Sequence, residues 1–351
     1  MKSTSKRTPQ SKAVDLLALA EYVERFSSRT VVVLGDFVAD SFQFGEISRV
    51  SREAPVLILR HRETEIIPGG GANAANNFVS LGAKVVPVGA VGDDAAGAQL
   101  IDFFRKKKVD VSGVIRVSGW VTPTKTRFLA GWAHTVGQQV LRVDYEPDTP
   151  LPETVRKKLH RILLERLKVA DALAVSDYGF GVVSPSDLRQ ARARAPKDLP
   201  ITLDSRYRLG DYHKAGITAA TPNEAELEAL HHASIGKNLA ELQRCGEATR
   251  AQMKLPSLLV TRGRDGMALF QAGESPSLIA VLGSDQAVVV TGAGDTVLAT
   301  YTLAIASGAT PLEAAHLANF AGSVVVMKRG TATVSRDELS ELIHKSASGK
   351  S

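Results

Sequence analysis

The sequence predicts an α/β fold: a mostly parallel sheet with helices on both faces and a small β-sheet lid. Three observations carry this. Short apolar runs of strand length recur along the 351 residues, stretches with helical apolar spacing separate most of them, and two β-rich segments without helices interrupt the rhythm. Alternation of strand and helix implies a parallel sheet covered on both sides.

The basic, Ser/Thr/Pro-bearing start reads as a solvated tail, and residues 14–26 follow with helical spacing at Val14, Leu17, Leu19, Tyr22 and Val23. Residues 1–28 are therefore expected to be a tail and a helix. Residues 31–34 form an apolar run ending in Gly35 and Asp36, the pattern of a buried parallel strand. Comparable runs lie at 85–88, 172–175, 201–203, 217–220 and 258–260, with helical spacing at 72–81, 97–107, 152–169, 223–230 and 238–254. Segments 42–67 and 114–145, rich in Val, Ile, Thr and aromatics with polar alternation, are the expected lid strands. They would be inserted in one domain over 29–340, followed by a tail over 341–351. Near the carboxyl edge of the main sheet, such a lid would cover the crevice where open α/β sheets bind ligands.

Hydrophobic residues at 44% and charged residues at 23% exclude a disordered chain. The formal charge of +6 suits anionic metabolites as well as nucleic acid. Its basic clusters, in the tail and at 105–108, lack the interleaved aromatics of a single-strand binding surface, so no nucleic-acid partner is expected. Cys245 stands alone, which excludes an intrachain disulfide and a cysteine zinc site. There is neither a signal-like apolar region nor a run of about eighteen apolar residues, so the expectation is a cytoplasmic protein without a membrane partner.

The strongest chemical signal is Thr291-Gly292-Ala293-Gly294-Asp295-Thr296, after a strand-like 287–290 and opening an apolar helix through Ala306. Glycines at a helix start let free N–H groups approach an anion, which the helix dipole also favours. That suits a phosphoryl group in flight, with Gly292, Ala293 and Gly294 around it and Asp295 accepting a hydroxyl proton. The plainer alternative is a turn whose Asp merely caps a helix. Asp36 and Asp40, after the first strand, could accept from the hydroxyls of a bound ligand, with Asp36 the better placed. Asp177 and Asp204 follow later strands, Asp177 a candidate for the phosphoryl acceptor and Asp204 for the phosphoryl donor. With Asn223 and Glu226 they make an acidic ring suited to hydrated Mg²⁺, bound by Asn223 and Glu226 through water. Arg49, Arg52, Lys125, Arg127 and Arg142 occur in the lid segments, as ligands for an acceptor phosphate or as ordinary surface cations. The histidines, His134, His160 and His213 among them, lack metal-ligand spacing, and Tyr178 reads as packing.

With these features in view, residues 31 to about 334 resemble the ribokinase-like, or PfkB, family of carbohydrate kinases. The resemblance rests on Pro68-Gly69-Gly70-Gly71-Ala72-Asn73, on the Gly292–Asp295 turn, and on Thr221-Pro222-Asn223-Glu224-Ala225-Glu226, which looks like the family's N-x-x-E element. It implies a ribokinase-like fold, ATP and Mg²⁺, and leaves a monovalent-cation requirement open. It further implies that Gly69, Gly70 and Asn73 hold the sugar, that Thr261, Arg262, Gly263 and Gly266 form a nucleotide-side loop, and that Asn319 lies by the adenine. Unpaired lid edges make a homodimer through the lid strands the expected assembly.

Within the family the resemblance is nearest to kinases acting on D-glycero-D-manno-heptose 7-phosphate, in the stretches GEISRVSREAPV (45–56), QQVLRVD (138–144), SDYGFG (176–181) and GTATVS (330–335). This implies phosphorylation of the anomeric hydroxyl to the 1,7-bisphosphate, on the way to ADP-heptose. One departure is Phe180-Gly181, where that branch has Lys-Gly; either another cation substitutes or the acceptor differs. Another is length, because only a short helix and tail follow Ser335, with no nucleotidyltransferase domain expected.

Competing readings stay open at this level. Gly69-x-Gly71-x-x-Ala74 with Asp93 about twenty residues on satisfies a loose dinucleotide pattern, but Pro68 interrupts the required turn and the other motifs go unexplained. No Walker-type G-x-x-x-x-G-K-[ST] occurs. Other acceptors for a PfkB-type kinase (another sugar, sugar phosphate or nucleoside) and a sugar-binding regulatory protein remain the alternatives.

Overall fold

A computed structural model describes residues 14–131, 138–282, 292–328 and 331–349. The expected strand at 287–290, Thr291 and His134 lie outside the described residues.

Helix α1 (Leu16–Arg25) leads into β1 (Thr30–Gly35), followed by β2 (Phe37–Val50) and β3 (Leu57–Gly69). Then come α2 (Gly70–Ser80), β4 (Lys84–Gly92), α3 (Ala95–Lys106) and β5 (Val114–Val117). Strands β6 (Thr124–Gly131) and β7 (Gln138–Tyr145) precede α4 (Glu153–Arg166), β8 (Ala172–Asp177), α5 (Pro185–Arg194) and β9 (Ile201–Ser205). The chain continues through β10 (Ala219–Ala220), α6 (Glu224–His231), α7 (Leu239–Met253), β11 (Ser257–Thr261), β12 (Met267–Gln271) and β13 (Ser277–Ile279). Helices α8 (Ala293–Ala306), α9 (Pro311–Val326) and α10 (Arg336–Ala347) complete it.

Nine strands form the main sheet in the order β13-β12-β11-β10-β9-β8-β1-β4-β5. All neighbours from β11 to β5 run parallel, whereas β12 and β13 are antiparallel additions. The short link after β11 explains the change, since a tight turn can only reverse a strand while a parallel return needs a crossover. Successive side chains of β1 point to opposite faces. Val31 and Val33 enter a core shared with α1, α2, α3, α8, α9 and α10, and Val32 and Leu34 enter one shared with α4 to α7. Full burial of each such side chain stabilises by about 1.5–3 kcal/mol, which is why the strand is apolar on both faces.

The second sheet has the order β3-β2-β6-β7. It departs from the sequence expectation at one point. Val114–Val117 belongs not to the lid but to the edge of the main sheet, parallel to β4, because β4, α3 and β5 make one crossover unit that buries Ile115 and Val117. The expected C-terminal tail is also corrected. A Ser335–Glu338 capping box starts α10, and Leu339 and Ile343, one turn apart, bury against the core beside α1, so the helix runs on to Ala347. Among the described residues no helix is long and apolar enough to cross a membrane.

Candidate active site

The sheet reverses its building direction about β1, which lies between β8 and β4, and a crevice forms outside the carboxyl ends of strands at such a point. The acids end up there for that reason: Asp36 follows β1, Asp177 ends β8 and Asp204 is the penultimate residue of β9. Two helices begin at the same crevice. Gly70 at the start of α2 has φ +52°, and a Cβ there would come within 2.8 Å of Val38. Gly292 before α8 has φ +87°, and its Cβ would stand 2.9 Å from Asn73 Nδ2. Only glycine adopts these conformations at such close approach without strain.

The two helix starts are joined by a buried network. Asn73 Nδ2 donates to Asp295 Oδ2 at 2.7 Å, Thr296 Oγ1 to Asn77 Oδ1 at 2.7 Å, and Asn77 Nδ2 to the Asn73 carbonyl at 3.0 Å. Asp295 Oδ1 is buried and has no hydrogen-bond partner among the described residues. Burial pushes the Asp295 carboxyl up to about 7; the Asn73 donor opposes this, the Asp40 charge adds to it, and Lys125 opposes it. Among the described residues no side chain caps α8. The first-turn amides of Ala293, Gly294 and Asp295 are thus left for an anion, beside a carboxylate poised to take a proton.

Facing this turn is a pair of acids. The Asp204 carboxyl is pushed well above its ordinary range by burial first, then by the charges of Glu226, Asp295 and Asp177. A Cβ on Gly294 would lie 3.7 Å from Asp204 Oδ2. Asn223 and Glu226 form a capping box at the start of α6: Asn223 N–H donates to Glu226 Oε2 at 2.9 Å, and Glu226 N–H to Asn223 Oδ1 at 2.8 Å. The N-x-x-E element therefore has a structural job, and it leaves one Glu226 oxygen free. Among the described residues no three His, Cys, Asp or Glu side chains converge to hold a metal directly. The charge of Glu226 acting on the buried Asp204 carboxyl nevertheless fits a hydrated divalent cation, which takes few protein ligands.

Several expected ligand residues are occupied otherwise. Asp36 is not open to a sugar hydroxyl. Its Oδ2 accepts from the amides of Tyr178 and Phe180 at 2.9 and 3.1 Å, and its Oδ1 from Val182 at 3.0 Å, clamping the loop after β8. Asp177 is engaged in the same way by Gly179 N–H, Ser205 Oγ and Tyr212 Oη at 3.0, 3.0 and 2.5 Å. Burial, with the charge of Asp177 beside it, raises the Asp36 carboxyl to about 6. Asp40 is the carboxylate left at the crevice, with Oδ1 accepting from Arg127 at 2.6 Å and Oδ2 2.7 Å from where a Gly69 Cβ would stand.

On the nucleotide side, Thr261 ends β11 and the turn holds Gly263 and Gly266 at φ +55° and +77°. Arg262 does not face outward: it donates to Glu224 Oε2 at 2.7 Å and to the Gly236 carbonyl at 3.0 Å. Asn319 Nδ2 donates to the Ala280 carbonyl at 2.8 Å, tying α9 to the segment after β13.

Lys125 and Arg142 line a cleft of about 610 Å³ together with Tyr178, Phe180, Arg206 and Tyr207. Arg127 is bound to Asp40, and Arg142 to Asp144 through Nε at 2.7 Å. Arg49 is not brought to the site. It is exposed near the distal end of β2, nine residues beyond Asp40, about 30 Å at ~3.3 Å per residue. Sequence reasoning missed Asn77, Thr296 and Arg206. It also read Tyr178 as packing, whereas Tyr178 lines the cleft.

A model of the pfkB family carbohydrate kinases matches residues 28–338. The bifunctional protein HldE of Mesorhizobium japonicum is 37% identical over 329 residues, which are 92% of this chain and 64% of that protein. Its namesake from Gluconobacter oxydans is 35% identical over 320 residues, 91% of this chain and 65% of the relative. The chain thus spans about two thirds of the length of these relatives or slightly less. Among solved structures, Arabidopsis thaliana ribokinase complexed with ribose and ATP superposes with a TM-score of 0.70 at 21% identity, over 90% of this chain and 98% of that one. Phosphofructokinase-2 from Escherichia coli, in complex with potassium, gives 0.69 at 20% identity, over 91% and 99%. Both share the ribokinase-like fold described above.

Proposed function

The chain belongs to the pfkB family of carbohydrate kinases, and from that premise we propose that it phosphorylates D-glycero-D-manno-heptose 7-phosphate at the anomeric hydroxyl. The product is the 1,7-bisphosphate, a precursor of ADP-heptose. The observation that carries the chemistry is the buried, unpartnered Oδ1 of Asp295 at the uncapped start of α8. The choice of sugar is supported by the four stretches that resemble the heptose 7-phosphate kinases and by the relatives named HldE.

Asp295 Oδ1 accepts the proton as the acceptor hydroxyl attacks the γ-phosphorus, and the bond from that phosphorus to the β,γ-bridging oxygen breaks, with ADP as the leaving group. Asn73 holds the other oxygen, fixing the carboxylate and keeping part of its basicity in check. The amides of Ala293, Gly294 and Asp295 face the phosphoryl oxygens and stabilise charge there without reorganising. Asp40 accepts from a sugar hydroxyl, and Gly69 and Gly70 let the backbone approach the ring. Thr261, Gly263, Gly266 and Asn319 border the nucleotide. Asp204 and the free Glu226 oxygen, with Asn223, would hold Mg²⁺ through water, where the ion would neutralise charge on the phosphates. The lid sheet excludes water, and its edge strand β7, which exposes Val140, Leu141 and Tyr145, pairs with a second copy in a homodimer. The protein works in the cytoplasm.

The test is turnover with Mg²⁺-ATP against D-glycero-D-manno-heptose 7-phosphate, fructose 6-phosphate, ribose, fructose and adenosine, with phosphorus NMR of the product. The expected result is a strong preference for the heptose phosphate with the new phosphate on C1. Preference for any other acceptor removes the heptose assignment, and light scattering that finds only monomer at assay concentration removes the dimer.

A further inference from the structure

Lys125 and Arg206 come from different sheets, yet both stand over one ring. Lys125 Nζ lies 5.0 Å and Arg206 Cζ 6.0 Å from the centroid of Tyr178. Neither side chain forms an ion pair or hydrogen bond with another described residue. The carboxylates on that wall are engaged elsewhere, Asp40 by Arg127 and Asp144 by Arg142, while Arg208 is bound to Asp211. Glu146 and Asp148 are exposed and sit in the segment after β7 that borders the cleft. Lys125 is half-buried, and its ammonium is held below its ordinary pKa by burial first and then by Arg206. Phe180, next to this pair, contributes no charge. Lys125 feels the Asp40 carboxylate and exposed Arg206 those of Asp204 and Glu226, but none of these is a close ion-pair partner, and two cations repelling each other at one cleft wall leave Coulomb energy that an anion between them would recover.

Tyr178 also shows where that anion would sit relative to the chemistry. Beyond burial, the phenol feels the charges of Asp295 and Asp204 before those of Arg206 and Asp40, so one residue spans the acidic, phosphoryl-transfer side and the cationic side of the cleft. An acceptor lying along Tyr178 with a hydroxyl at Asp295 would present its far end to Lys125 and Arg206. The planar guanidinium fork suits a phosphate monoester better than a neutral hydroxyl.

We propose that Arg206, together with Lys125, binds the phosphate monoester of the acceptor over the Tyr178 ring, and that Arg206 is a specificity-determining residue for phosphorylated over neutral sugars. This rests on the reading that the acceptor is a sugar phosphate.

The experiment compares kcat/KM for D-glycero-D-manno-heptose and its 7-phosphate in wild type, Arg206→Gln and Arg206→Lys, with melting temperature and ATP affinity as folding controls. In Arg206→Gln the preference for the phosphorylated sugar is expected to fall tenfold or more through KM for the 7-phosphate, with partial recovery in Arg206→Lys. An unchanged preference in Arg206→Gln, or an equal loss on both sugars, overturns the assignment of Arg206 and leaves the substrate reading standing. A wild type that does not prefer the phosphorylated sugar overturns both.

Discussion

Asn73 Nδ2 donates to Asp295 Oδ2 across 2.7 Å, and the second carboxylate oxygen is buried with no partner among the described residues. This bond links the starts of α2 and α8, two glycine-rich turns 222 residues apart in the chain. It also sets a direction for the proton chemistry. A carboxylate buried without a donor is strongly basic; one held by a single amide keeps part of that basicity and has only one oxygen to offer.

The first prediction concerns this tuning. With Asp295 raised to about 7, log kcat/KM should climb with unit slope as pH rises and level off above that value. Asn73→Leu removes the donor that favours the charged form, so the midpoint should move to higher pH. A midpoint that stays in place would mean that Asn73 positions the sugar or the helix without tuning the base.

The second concerns stability. The folded pKa values of Asp36 and Asp295, about 6 and about 7, lie above the ordinary 3.8. Between 3.8 and these values the folded state binds more protons than the unfolded one. Their contribution is therefore present at low pH and lost as pH rises through about 6 to 7. Asp295→Asn should be more stable than wild type at pH 8 by on the order of 2 kcal/mol, and the gap should close toward pH 5. Thermal unfolding across that range measures it, and a pH-independent gap would contradict the assignment.

Much of the main sheet was legible in the sequence because a strand buried on both faces is a continuous apolar run, as at 31–34 and 172–175. The β5 edge was not, since four residues between two β-rich blocks carry no sign of which sheet they join. At the site, Asp295 and Asn73 could be named from glycine-rich turns, whereas the engagement of Asp36 could not. An acid at a strand end looks the same whether it faces a ligand or three amides of a loop 140 residues away, and only the fold brings Tyr178, Phe180 and Val182 to it. Arg206 carried one signal, its place in Arg206-Tyr207-Arg208 just past the acid of β9, and that signal is shared by many surface turns.

A third prediction separates the two jobs of Glu226. Gln can still accept the Asn223 N–H bond, as Glu or Gln does in a capping box, but it carries no charge. Glu226→Gln should therefore keep the cap and be no less stable than wild type, while needing several-fold more Mg²⁺ for half-maximal rate. Glu226→Ala should lose the cap as well, at about 0.5–2 kcal/mol. An unaltered Mg²⁺ requirement in both variants would confine Glu226 to the cap.

The most direct test of Asp295 as the base is single-turnover phosphoryl transfer by Asp295→Asn at pH 8, with ATP affinity measured on the same protein. The variant is expected to bind ATP within about twofold of wild type and to transfer the phosphoryl group about 10²- to 10⁴-fold more slowly, the range that a positioned general base contributes. Transfer within tenfold of wild type, in a variant that is folded and saturated with ATP, would contradict the account.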